Sequence, residues 1–141
     1  MPSPMQITRY LWASPNTLLG LFVLLLTAGS GIRVRRVRGV IEAHGGLIAR
    51  LLERCVPIPG GAAAMTLGHI VIARNQADLD RSRAHERVHV RQCERWGPAF
   101  VPAYLVAGLI IYLRGGDPYY DNPFEREAYN RADLSRLTTP G

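Results

Sequence analysis

Two uncharged runs, "NTLLGLFVLLLTAGSGI" (16–32) and "GPAFVPAYLVAGLIIYL" (97–113), interrupt a chain otherwise studded with arginine. As a helix the first spans roughly 25 Å, slightly short of a ~30 Å hydrocarbon core. "YLWASP" in front lengthens it and adds Tyr10 and Trp12, residues suited to a membrane interface. The expectation is an uncleaved membrane-anchor helix within an N-terminal segment 1–32. Two other readings stay open: a signal peptide cleaved near Ala28-Gly29-Ser30, and a buried helix of a soluble domain. "RVRR" directly after the run favours holding that end on the cytoplasmic side.

Between and after the two runs the period changes several times. "RVRRVRGVIEA" (33–43) alternates arginine with valine and isoleucine, which predicts a half-exposed strand. "LIARLLERC" carries apolar residues at helical spacing. "VPIPGG" reads as a loop. "AAAMTLGHIVIARN" (62–75) predicts a strand, a turn or bulge at Gly68, and a second strand with Ile70 and Ile72 on one face. A helix follows over about 76–96, with Asn75 as N-cap and Asp78 in the first turn. Gly97-Pro98 stops it. "RGGDPYYDNP" is a loop, a last helix runs over about 124–137 with Pro123 at its first position, and "TTPG" is a loose tail. The fold class expected is α+β, with residues 33–141 forming one small domain.

Charge and cysteine content narrow the picture only a little. All 17 basic residues are arginine, for a net charge of +6. Arginine holds phosphate in a bidentate way, so an anionic lipid surface and a nucleic acid are both chemically suitable partners. No aromatic residues are interleaved with the arginines as a stacking platform requires, so no nucleic-acid partner is expected. Cys55 and Cys93 form no C-x-x-C pair and read as lone thiols.

The chemistry concentrates in the predicted helix 76–96, where "HERVH" places His85 and His89 four residues apart. That spacing brings both imidazoles to one helix face, where they can share a Zn2+ ion. Glu86 is rotated by about 100° from His85, placed to exchange a proton with water at such an ion. The competing structural reading is a solvated polar helix laced with i,i+4 charge pairs. A catalytic zinc needs a third protein ligand. "NPFEREAY" offers Glu125 and Glu127, which differ by about 200° around a helix, so only one of them faces the ion. Glu125 also fits a capping box opened by Asn122, a purely structural role. Gln92 lies on the metal face, either as a support to the ligands or as ordinary polar surface. His69 and Tyr120 (with Tyr119 beside it) are candidates to face the substrate.

"HERVHVRQ" followed by "NPFEREAY" resembles the gluzincin branch of the zinc metallopeptidases, and within it small bacterial minigluzincin-like domains of the "HExxHxxQ … ExEA" type. The resemblance covers roughly residues 62–135 and is strongest at the two helices. It implies a zincin-like domain with a short sheet, Glu125 as third ligand and Tyr129 in the place where a carboxylate commonly supports a histidine. It also implies that "GHIVIAR" is an edge strand along which extended substrate binds. Arg87 departs from the uncharged residue usual there and predicts a helix face turned toward solvent or membrane.

The reading that follows is a membrane-associated zinc-binding protein, a metallopeptidase acting on a peptide or protein, in a bacterial inner membrane with its zincin-like part cytoplasmic. The alternative is a non-catalytic membrane protein whose "HERVH" helix is structural or binds metal without turnover. If Glu125 joins His85 and His89, residues 97–113 cannot cross the bilayer once, because a single crossing would separate the ligands. That run is then expected to lie in or against the membrane.

Overall fold

The computed structural model describes residues 1–138; the rest of the predicted tail, residues 139–141, lies outside the described residues. The protein is α+β. Its elements are α1 (Pro4–Thr27), β1 (Arg33–Val37), β2 (Val40–His44), α2 (Gly46–Arg54), β3 (Ala64–Leu67), β4 (Ile70–Ala73), α3 (Gln76–Trp96), α4 (Phe100–Leu113) and α5 (Pro123–Thr138), with a 3-10 turn at Gly97–Ala99 between α3 and α4.

The single predicted strand over 33–43 is a hairpin. Arg38 and Gly39 form a two-residue turn with φ of 48° and 80°, and Val37 pairs with Val40 across it. Two successive positive φ values are what a type I′ turn demands. Arginine and valine positions continue up to the tip, and only Gly39 marks the reversal. The four strands lie in the order β1-β2-β4-β3. β2 and β4 are parallel, and the other two pairs are antiparallel.

Strand alternation sorts side chains to two faces. Ala43, Ile70 and Ile72 meet Ile48 and Leu52 of α2, with Val23 and Leu24 of α1 packed against them. On the other face Val40, Val71 and Ala73 meet Leu79 and Val90 of α3. All four residues of β4 are therefore buried. This corrects the expectation that "GHIVIAR" is an edge: β4 is interior, and β3 is the edge strand beside α3.

α3 begins at Asn75, whose side chain accepts from the Asp78 N–H at 2.8 Å. It ends at Gly97, where φ is 55°. α4 then leads away, and the chain folds back along it. The Gly116 N–H donates to the Ile111 carbonyl at 2.9 Å, Pro118 lies against Gly108, and the Asn122 amide donates to the Tyr104 carbonyl at 3.1 Å. α5 consequently starts at the α3 end of α4, and the expectation that 97–113 is not a one-way crossing agrees with this path. Cys93 is buried with Ala13, Phe100 and Phe124, whereas Cys55 is exposed; both are free.

Two helical stretches, Pro4–Thr27 and Gln76–Leu113, are long and apolar enough to cross a membrane by length and composition. α1 nevertheless packs on the rest of the chain. Gly20 lies on Ile70 and Leu67, where an added Cβ would stand 2.9 Å from the Ile70 Cβ. The Asn16 amide donates to the Gly97 carbonyl at 2.9 Å, and the Trp12 indole donates to the Arg95 carbonyl at 3.3 Å.

Candidate metal centre

His85, His89 and Glu125 converge. Helical spacing turns both histidines of α3 toward α5, and Pro123 starts α5 so that Glu125 falls in its first turn. His85 Nε2 and His89 Nε2 stand 3.1 Å apart. Glu125 Oε2 lies 2.9 Å from the first and 3.2 Å from the second. Three donors bound at about 2.0–2.1 Å to a tetrahedral zinc stand roughly 3.3 Å from one another. The triangle is that size, slightly tighter, and this donor set fits an ion such as zinc. The cluster is the kind of His/Glu group able to hold a metal.

Each of the three side chains is held from behind, with one exception. His89 Nδ1 donates to Gln92 Oε1 at 2.8 Å. The Gln92 amide nitrogen donates in turn to the Phe124 carbonyl at 3.0 Å and to Glu127 Oε2 at 3.1 Å. Both of those partners are acceptors, so the amide can face only one way and the proton of a neutral His89 sits on Nδ1. Nε2 is left with its lone pair toward the centre. Glu125 Oε1 accepts from the Tyr104 hydroxyl at 2.7 Å. The exception is His85, whose buried Nδ1 has no partner.

The same contacts decide the open alternatives. Glu125 spends its carboxylate on the histidines and Tyr104, and the Asn122 N–H donates instead to the Tyr119 carbonyl at 3.1 Å, so no capping box forms. Glu127 faces away, ion-paired with Arg131 at 3.0 Å and Arg95 at 3.6 Å as well as holding Gln92. Gln92 is buried, which places it among the supports rather than on the surface.

Tyr129 packs its ring on His85, 4.3 Å between centroids, and its hydroxyl lies 3.3 Å from that of Tyr119. It makes no hydrogen bond to His85, whose Nδ1 has no partner, so the supporting bond that the resemblance implied for Tyr129 is not formed. Tyr120 is largely exposed and stacks on Tyr129, so Tyr119 is the tyrosine turned inward. His69 is elsewhere: its Nε2 lies 2.8 Å from Glu94 Oε1, and its ring stacks on Tyr10 of α1. Glu94 follows His85 by nine residues, about two and a half helical turns, and so sits on the opposite face of α3.

Arg87 corrects another expectation. It does not face solvent or lipid but donates to the Val37 carbonyl at 2.7 Å and reaches Glu42 at 3.4 Å. Glu42, buried under the sheet, is also gripped twice by Arg83, at 2.9 and 3.0 Å. The charge on this helix is absorbed by a buried carboxylate that periodicity alone does not connect to it.

Glu86 is buried beside the triangle and accepts from the Thr66 hydroxyl of β3 at 2.6 Å. Burial raises its pKa, against the pull of His89, the Thr66 hydrogen bond and His85. Burial also opposes the charge on His89, but the Glu125 hydrogen bond and the Glu86 charge outweigh it and lift the imidazole to about 9. Glu125, despite burial, is held down at about 2 by hydrogen bonds from His85 and His89. Such opposed shifts within one cluster are characteristic of functional sites. Sequence reasoning assigned no role to Thr66 or Tyr104. The only signal was a hydroxyl-bearing residue inside an otherwise apolar segment. Comparison with protein-family models, curated proteins and solved structures finds no match.

Proposed function

We propose that the protein is a membrane-associated, zinc-dependent amide hydrolase, a metallopeptidase of the gluzincin type. The observation that carries this reading is the triangle of His85 Nε2, His89 Nε2 and Glu125 Oε2, with sides of 2.9, 3.1 and 3.2 Å, next to the buried Glu86. His85, His89 and Glu125 would hold the ion, with Gln92 setting the His89 tautomer and Tyr104 orienting the carboxylate. Zinc there supplies the positive charge that makes water acidic enough to attack a carbonyl near neutral pH. Glu86, buried beside the three donors, would accept the proton of that water and pass it to the leaving amine. Thr66 keeps the Glu86 carboxylate in place. The free backbone edge of β3, which carries Thr66, offers an extended peptide a strand to pair with.

The apolar runs and the arginines of β1 support placement at a bacterial inner membrane with the sheet on the cytoplasmic face. The test is a pair of variants. Purified protein is expected to carry about one zinc per chain, and His89→Ala to lose it. Glu86→Gln is expected to keep the zinc and lose cleavage of an unstructured protein such as casein by roughly a hundredfold or more. A Glu86→Gln variant as active as the parent ends the hydrolase reading, leaving metal binding without turnover.

A further inference from the structure

α1 and α4 are inside-out. On α1 the fully buried positions are Ala13, Asn16, Gly20 and Thr27, which are small or polar, and Val23 and Leu24 are partly buried beside them, while Leu18, Leu19, Phe22, Leu25 and Leu26 face outward. On α4, beyond Phe100 at its start, the inward positions include Ala103, Tyr104, Ala107 and Gly108, while Leu105, Val106, Leu109, Ile110 and Leu113 face outward. A helix packed against a core in water shows the reverse distribution, and this one is the mark of a helix whose outer face meets hydrocarbon.

α1 is also docked from Tyr10 to its C-terminal end. Tyr10 hydrogen-bonds the β1–β2 turn at Gly39, and Asn16 bonds Gly97. Thr17 accepts from the His69 N–H, Gly20 rests on Ile70, and past the helix end Ser30 accepts from the Leu47 N–H. From residue 10 to residue 30 there is no stretch of α1 free of the domain. A bilayer wrapped around α1 as a spanning helix would therefore draw in the His69–Glu94 pair, because His69 stacks on Tyr10 and its N–H donates to Thr17. Charged side chains at that depth are strongly disfavoured.

Resting on the membrane association proposed above, but not on the metal chemistry, we infer that α1 does not cross the bilayer: α1 and α4 lie along one leaflet, seating the protein as a monotopic membrane protein. Their outer faces enter the acyl region of that leaflet. Anionic lipid is the occupant favoured by charge, because Arg36 and Arg38 flank the groove shared with Ile7, Tyr10 and Leu11, and Arg114 follows Leu113 at the end of α4.

The experiment uses the full chain in bacterial cells with Cys55→Ser, keeping the buried Cys93, and a single new cysteine from Pro2→Cys or Ala28→Cys. These positions bracket α1 and are exposed. A membrane-impermeant maleimide is applied to spheroplasts and to inverted vesicles. Both positions are expected to label from the same side; labelling from opposite sides overturns the inference and makes α1 a span. A second arm floats purified protein with phosphatidylglycerol vesicles. The outward Phe22→Asp/Leu26→Asp variant should lose at least tenfold in bound fraction while unfolding at the parent's temperature. Full retention on vesicles overturns the seating. Failure of the parent to bind vesicles, with a dimer in solution that the double variant dissolves, overturns membrane association itself and assigns the face to a second copy.

Discussion

Gln92 sets the chemistry of His89 by a chain of hydrogen bonds in which every direction is determined: Glu127 and the Phe124 carbonyl accept, the Gln92 amide donates to them, and its oxygen is left for the His89 Nδ1 proton. Removing such an outer support weakens metal binding by roughly 10–100-fold. Gln92→Ala should show that loss in a chelator-competition titration with zinc; unchanged affinity would mean that His89 is oriented by packing alone. The protons of the cluster make a second prediction. With the metal stripped by a chelator, His89 titrates at about 9 rather than 6.5, so the stability it contributes is full below 6.5 and fades as pH rises through about 9. Glu125 titrates at about 2 rather than 4.5, so its contribution is full above 4.5 and fades as pH falls through about 2. Thermal unfolding of the stripped protein should therefore show the pair's stabilisation at its greatest between 4.5 and 6.5. Zinc competes with the His89 proton, so its affinity should climb with pH across the range from 6.5 to about 9, and a flat affinity profile there would refute the assignment. At this scale His85, Glu86 and His89 were legible because a helix converts i,i+4 spacing directly into geometry. Glu125 against Glu127 was not, since either carboxylate faces α3 for a suitable rotation of α5, and only the docking of the two helices sets that rotation.

Elements were easiest to read where they end abruptly. Asn75 and Gly97 bound α3, and Pro123 opens α5, because a cap or a proline acts on its own turn. The β1–β2 hairpin was missed because Arg38 takes a positive φ that an arginine does not advertise. β4 was misjudged as an edge because a strand's neighbours are not encoded in its own alternation; β2 reaches β4 only after α2 and β3 have intervened. α1 shows the same limit most clearly. Its run of leucines is visible from sequence, but the stripe that docks it, with Gly20 on Ile70, is not. Gly20→Leu would push a side chain into the Ile70 and Leu67 β-carbons, and is expected to cost about 1–3 kcal/mol. The measurement is thermal unfolding in mild detergent, with Leu19→Ala on the outward face as the control expected to change little. Equal effects of the two substitutions would mean that α1 is not docked through this stripe.

For the whole molecule, the membrane seating proposed above would bring two forces into play at the lipid surface, and they scale differently with salt. Arginine attraction to anionic headgroups is screened over a Debye length of ~10 Å at ~0.1 M salt, whereas burial of leucine and phenylalanine is not. Vesicle binding should thus weaken several-fold between about 0.05 and 0.5 M sodium chloride without vanishing, read by co-sedimentation with phosphatidylglycerol vesicles; complete release at high salt would leave no role for the outward faces of α1 and α4. The sequence by itself determined the features that depend on neighbours within a turn or two: the capped helices, the paired histidines with Glu86 between them, the apolar runs and the α+β class. Tertiary structure alone decided what depends on distant partners. Thr66 reaches Glu86 across 20 residues, Tyr104 reaches Glu125 across 21, and Asn16 reaches Gly97 across 81. Local spacing constrains a side chain's direction; which group stands at the other end of it is settled only when the chain has packed.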